Sequence, residues 1–273
     1  MRHRLLHVLA IFVMTQAVSA FAQDLGNQFP QPPGQRGQRG QAAPAKPAPR
    51  WPDARMNLGA PLGEKGLWIG GITTLALPNN APVPYQPWAQ ALAAYRRQNE
   101  FEPHTRCKPS GGPRQFLTPY GVEFVELPEL KRIYIFDVGG PHTYRIIYMD
   151  GRPHPKDLIP SYYGHNVGRW EGDTLVVDSV GYNEAFWLDR GRSPHTEKLH
   201  MIERFTRTDS NNMRYQVTVD DPGAYTATWT GEFAIRWVAN DEMFEYICQD
   251  NNFASELMVG SEKSIDRTSP IVP

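Results

Sequence analysis

The sequence predicts a mainly β protein, an antiparallel meander closing into a calycin-like barrel, with a β-sandwich as the alternative. Three observations predict it. From Gly121 onward the apolar pattern has period two; nine successive segments are rich in β-branched and aromatic residues; and Gly, Pro, Asp or Asn bounds them. An open sheet of that many strands would leave two long edges of unpaired backbone, so closure is expected.

The chain begins with Arg2, His3 and Arg4, runs through LLHVLAIFV and reaches Ala20-Phe21-Ala22. That is the pattern of a secretory signal peptide over residues 1–22, cleaved after Ala22. The apolar run falls short of the roughly 20 residues a spanning helix needs, so no integral membrane segment is expected after cleavage. Export to the periplasm or beyond follows. Residues 23–50 are rich in Gln, Pro, Gly and Ala and offer few apolar groups, which predicts a disordered tether. The remainder, 51–273, reads as one β-rich domain.

Within that domain LGEKGLWIGG (62–71) suits a short strand. Near 86–98, Pro87 fits a first helical turn and Trp88, Leu92 and Tyr95 fall on one side, predicting an amphipathic helix outside the barrel or across its mouth. A connector punctuated by Pro and Gly (102–121) follows. The nine candidate strands are 121–127, 131–138, 143–151, 166–172, 173–180, 199–207, 213–221, 225–238 and 242–249. WEGD places Gly172 where a positive φ is wanted, and DSNN joins ERFTR to MRYQV.

Two cysteines, Cys107 and Cys248, stand near the two ends of the β domain. In an exported chain they read as one disulfide. A net charge of −1 with 21% charged residues points away from nucleic acid and towards a small-molecule partner. Seven Trp, twelve Tyr and twelve Phe suit a large β core or an aromatic-lined pocket.

Among eight histidines, two lie in SPHTEKLHMIERF (193–205). As a helix this stretch would stack Glu197, His200 and Glu203. As loop then strand it puts Leu199, Met201, Glu203 and Phe205 on one face and His200, Ile202, Arg204 and Thr206 on the other. The hairpin that follows favours the strand. His195 and Glu197 then stand on a loop at the strand entrance, with His165 expected at the same end of the barrel. The spacing excludes an HExxH zinc helix, so a divalent metal would need His165 or a carboxylate from elsewhere.

The stretches MDGRPHPKDLIPSYYGHNVGRWEGDTLVVDSVGYN, FWLDRGRSPHTEKLHMIERFTR, VTVDDPGAYTATWT and EYICQDNN resemble a family of exported, uncharacterised bacterial β-rich proteins. The resemblance covers roughly residues 82 to 252. It implies export, a β-rich domain and the Cys107–Cys248 pairing, and it assigns no catalytic residue.

Three function classes are expected. In the first, an exported enzyme, a lyase or water-activating hydrolase, moves protons through His165, His195 and His200 oriented by Asp189 or Glu197. GxSxG is missing, so no covalent nucleophile is expected. Tyr163, Trp170, Trp187 and Arg204 would contact the substrate. Paired-carboxylate chemistry would draw on Glu203, Asp220 or Asp221. In the second class, a lipocalin-like barrel binds an aromatic, lipid or sugar ligand without catalysis. An interaction module displayed on the tether is a third reading. Asp178, alternating with Val176 and Val177, reads as solvent-facing or turn-bonding.

Overall fold

The computed structural model describes residues 46–71, 74–139, 143–245 and 247–248. The chain divides into two compact units, Met1–Pro44 and Ala45–Pro273, and every described residue belongs to the second. The signal-peptide reading and most of the tether fall outside the described residues.

Nine strands close into a barrel in chain order: β1 (Gly66–Ile69), β2 (Val122–Leu127), β3 (Arg132–Asp137), β4 (Tyr144–Tyr148), β5 (His165–Glu171), β6 (Thr174–Val180), β7 (His200–Arg207), β8 (Asn212–Asp220) and β9 (Trp229–Ala239). The expected mainly β barrel is therefore present. Two details differ from the sequence reading. The closing strand is β1, paired to β9 from Gly66↔Ala239 to Ile69↔Arg236, and the described part of 242–249 forms no strand. β9 already carries β8 on one edge and β1 on the other, so no edge is left for that segment. Cys248 is nonetheless joined to Cys107, with Cα atoms 5.5 Å apart.

The other difference is that β4 and β5 run parallel, through Ile147↔Asn166 and Tyr148↔Val167. A parallel joint cannot be made by a tight hairpin, so residues 149–164 must travel back along the barrel before β5 begins. Gly164 ends that crossover at φ +60°, where a Cβ would lie 2.5 Å from the Val180 carbonyl oxygen. Only glycine turns the chain there without strain. Gly172, also at φ +60°, makes the β5–β6 turn as expected.

The inward faces fill the barrel with side chains. Phe116, from the connector, sits among Phe124, Phe205 and Tyr215 with ring centroids 5.0–6.3 Å apart. Glu203 points inward on β7, as the alternation requires, and its charge is met by Arg145 of β4, both side chains being fully buried. Asn166, Ser179 and the Tyr215 hydroxyl complete the network. Such a pair is tolerable in a core only because its remaining donors and acceptors are also satisfied.

α1 (Pro87–Asn99) forms as expected and packs outside the barrel, but on a different face. Ala89 and Ala93 are buried, whereas Trp88 and Tyr95 are 45% and 55% exposed. Small side chains let the helix approach closely, and the Trp88 indole N–H donates instead to the Gly223 carbonyl at 2.9 Å. The folded part also starts before residue 51. The Lys46 carbonyl accepts from Ser210 N–H, the Pro49 carbonyl from Asn57 N–H, and Arg50 makes a two-pronged ion pair with Asp173.

Candidate functional site

His165, Asp178 and His200 point outward from three adjacent strands. The register pairs Val167 with Asp178 and Asp178 with Ile202, so Asp178 lies one row inside His165 on β5 and His200 on β7. Diagonal residues on one face of a sheet are within reach of long side chains. The β4–β5 crossover then lays His154 over the same wall.

The four groups form an ordered chain. Asp178 Oδ1 is 2.8 Å from His200 Nε2 and 3.2 Å from His154 Nε2, and His154 Nδ1 is 2.8 Å from His165 Nδ1. As a carboxylate, Asp178 can only accept, so both Nε2 atoms carry protons. A neutral His154 then has a bare Nδ1, which accepts from His165 Nδ1–H. Nε2 of His165 is left as a lone-pair site, with no protein partner among the described residues.

The His165 ring stacks on Tyr148, 5.1 Å between centroids and 25° from parallel. Burial, then the repulsion that would arise if His154 and His165 were both protonated, and then the charge of Arg152, hold its pKa below the ordinary histidine value. The neutral form of His165 is thus favoured, while Asp178 and His200 stay 35% and 40% exposed and open to a ligand.

The other expected site residues lie elsewhere. His195 is buried in the 181–199 loop, where its Nε2 donates to the Phe186 carbonyl at 3.1 Å and burial pushes its pKa down to about 4. It pins the loop and does not join His165 and His200. Asp189 is buried and accepts from the Ser193 backbone N–H at 3.2 Å, so it too organises that loop. The Glu197 side chain is exposed, and its backbone N–H meets Glu184. Neither carboxylate touches a histidine; the acid that does is Asp178, expected as a solvent-facing or turn-bonding side chain.

The Tyr163 hydroxyl faces Thr143 and buried Asp137, Trp187 is buried with the Arg96 and Arg192 guanidinium groups against its ring, and Arg204 pairs with Glu171 on the outer wall. Trp170 lines a groove at the opposite end of the barrel from the 181–199 loop. Glu203, Asp220 and Asp221 form no catalytic pair: Glu203 points inward, Asp220 outward, and Asp221 holds the Thr196 and Gly223 backbone N–H groups. Among the described residues no three His, Cys, Asp or Glu groups are placed to hold a metal ion. No family model, curated protein or solved structure matches this chain.

His154 was missed for want of a period. It lies in GRPHPKD, where flanking prolines mark a loop and nothing local says which wall that loop crosses. The parallel joint supplies that information.

Proposed function

We propose that this chain is an exported enzyme, a lyase or water-activating hydrolase, in which His165 Nε2 is the general base on a small-molecule substrate. The observation behind this reading is the hydrogen-bonded order Asp178, His154, His165, which directs one unpartnered lone pair outward. His154 holds His165 in the required tautomer and Asp178 holds His154 in turn, so the His165 lone pair is kept oriented to accept a proton. His200 donates a second hydrogen bond to Asp178 and fixes its orientation. A substrate proton taken by His165 Nε2 would be shared down the chain, with Asp178 stabilising the cation that forms. That half-reaction serves abstraction beside a carbonyl and activation of water equally.

The binder reading has less support as a lipocalin-like cavity, because Phe116, Phe124, Phe205, Tyr215 and the Arg145–Glu203 pair occupy the barrel interior.

The test is turnover of a polar metabolite extract by purified protein, read by mass spectrometry. His165→Gln should slow consumption of any wild-type substrate by about 10²- to 10⁴-fold. His154→Gln and Asp178→Asn should do the same through tautomer loss, with melting changed little. His195→Gln should do the reverse, costing about 1–3 kcal/mol of stability and leaving turnover intact. Activity should rise with pH along a limb below the ordinary histidine value, because the base must be unprotonated, and Arg152→Ala should shift that limb upward. Equal turnover by wild type and His165→Gln would sink the assignment.

A further inference from the structure

The turn between β2 and β3, the end of β4 and Trp170 of β5 enclose a groove of about 300 Å³. That volume matches the lower end of small-ligand sites. Its charges are unequally matched. Glu126 is already paired with Arg55, and Asp150 makes a two-pronged ion pair with Arg152. Lys131 and Arg132, which also line the groove, have no carboxylate partner among the described residues. Of the Arg132 donors, Nη1 reaches the Tyr134 hydroxyl at a long 3.3 Å, and Nε is shut off from water with no acceptor. Lys131 is exposed, and its backbone takes the left-handed conformation that ends the turn, at φ 48°.

The remaining wall is apolar or flat. Pro128, Met149 and the Trp170 ring face the same space, and Trp170 and Met149 pack against the core, which holds them in place. Two cations without counter-charges beside an indole and a thioether select a ligand with two unlike ends. We propose that this groove binds a small organic anion, a carboxylate or phosphate monoester on a flat, apolar body. The anion meets Lys131 and Arg132, and the body lies on Trp170. A neutral ring would leave the two cations unanswered, and an inorganic ion would leave the indole wall unused.

The groove is separate from the histidine chain, although Tyr148 touches both: its ring stacks on His165 and also lies 5.5 Å from the Arg132 guanidinium carbon. Binding here therefore does not depend on the catalytic role of His165.

Calorimetric titration of the full chain with phenyl phosphate, benzoate and benzyl alcohol tests the assignment. At least one anion should bind at or below about 10 mM, and benzyl alcohol should bind at least about tenfold more weakly. Affinity for the anion should fall as salt rises. The pair Lys131→Ala and Arg132→Ala should weaken the anion by about tenfold or more, and Trp170→Leu should weaken it while preserving the salt dependence. His165→Gln should bind as the wild type does, which separates this proposal from the catalytic one. If neither anion binds wild-type protein, if benzyl alcohol binds as well, or if wild-type binding is indifferent to salt, the proposal is overturned. The salt titration needs no variant, so the outcome stands even if the double substitution fails to fold.

Discussion

Asp137 ends β3 with its carboxylate buried, receiving the Gly139 backbone N–H at 2.9 Å and the Tyr163 hydroxyl at 3.4 Å. Burial outweighs these bonds and lifts its pKa to about 7. The folded chain thus keeps a proton that the unfolded chain releases near the ordinary carboxylate value. Stability from this residue is greatest at low pH, declines as pH rises, and is lost above about pH 7. Asp137→Asn removes the dependence, so the variant should melt higher than wild type at about pH 8, by at most about 4 kcal/mol, with the gap closing towards pH 4. Urea midpoints measured across that range check the sign; a gap that widens on acidification would contradict it. The same contrast between burial and pairing separates the histidines. His195 and His104 are each pushed down to about 4 chiefly by burial, and non-titrating neighbours anchor them, the Phe186 and Thr196 carbonyls and the Ser110 hydroxyl. His165 differs because its partner is another titratable ring, itself tied to a carboxylate.

At the scale of elements, the short N-terminal pieces matter more than their apolar content suggests. β1 has four residues, yet it supplies the joint that closes the barrel, and Trp68 is buried with its indole N–H donated to the Leu58 carbonyl. Residues 46–50 add three backbone or ionic ties and the partly buried Ala48. A chain starting at Trp51 should therefore be less stable than one starting at Ala45, by about 1–3 kcal/mol. The melting temperature should drop by several degrees, on the order of 4 °C. Equal melting of the two chains would show that these ties contribute nothing. The Ala89/Ala93 face of α1 follows a related logic. A helix that packs on loops buries whatever lets its backbone come close, so its larger rings were left at the rim.

Across the whole molecule, the disulfide spans 141 residues and ties the connector before β2 to the chain beyond β9. Closing so long a loop restricts the unfolded chain severely, for a stabilisation of about 2–5 kcal/mol. Cys107→Ser with Cys248→Ser should lower the denaturant midpoint accordingly, with little change in the histidine chain, which neither cysteine touches. A midpoint unchanged by reduction would count against that role. The filled interior has a functional consequence as well. With aromatic rings and an ion pair occupying the barrel, the proposed chemistry and binding fall on its outer wall and its rim, where the histidine chain and the groove are found.

Period-two alternation alone determined the strands from β2 to β9, the inward set on β7 and the turns at Gly172 and Asp209, because each depends on residues close in sequence. The order of the strands was enough to expect His165 and His200 at one end of the barrel, and two cysteines in a chain read as exported were enough to pair Cys107 with Cys248. Only tertiary structure decided which strand closes the barrel, that β4 and β5 run parallel, and that His154 and Asp178 join His165 and His200 in the candidate site. Strand order and crossover path are set by which edges and which interior volume remain unfilled once every element has packed. His195 and Asp189 looked like site residues for the same reason: their types suit catalysis, but burial and backbone partners decide their work, and those come from the fold.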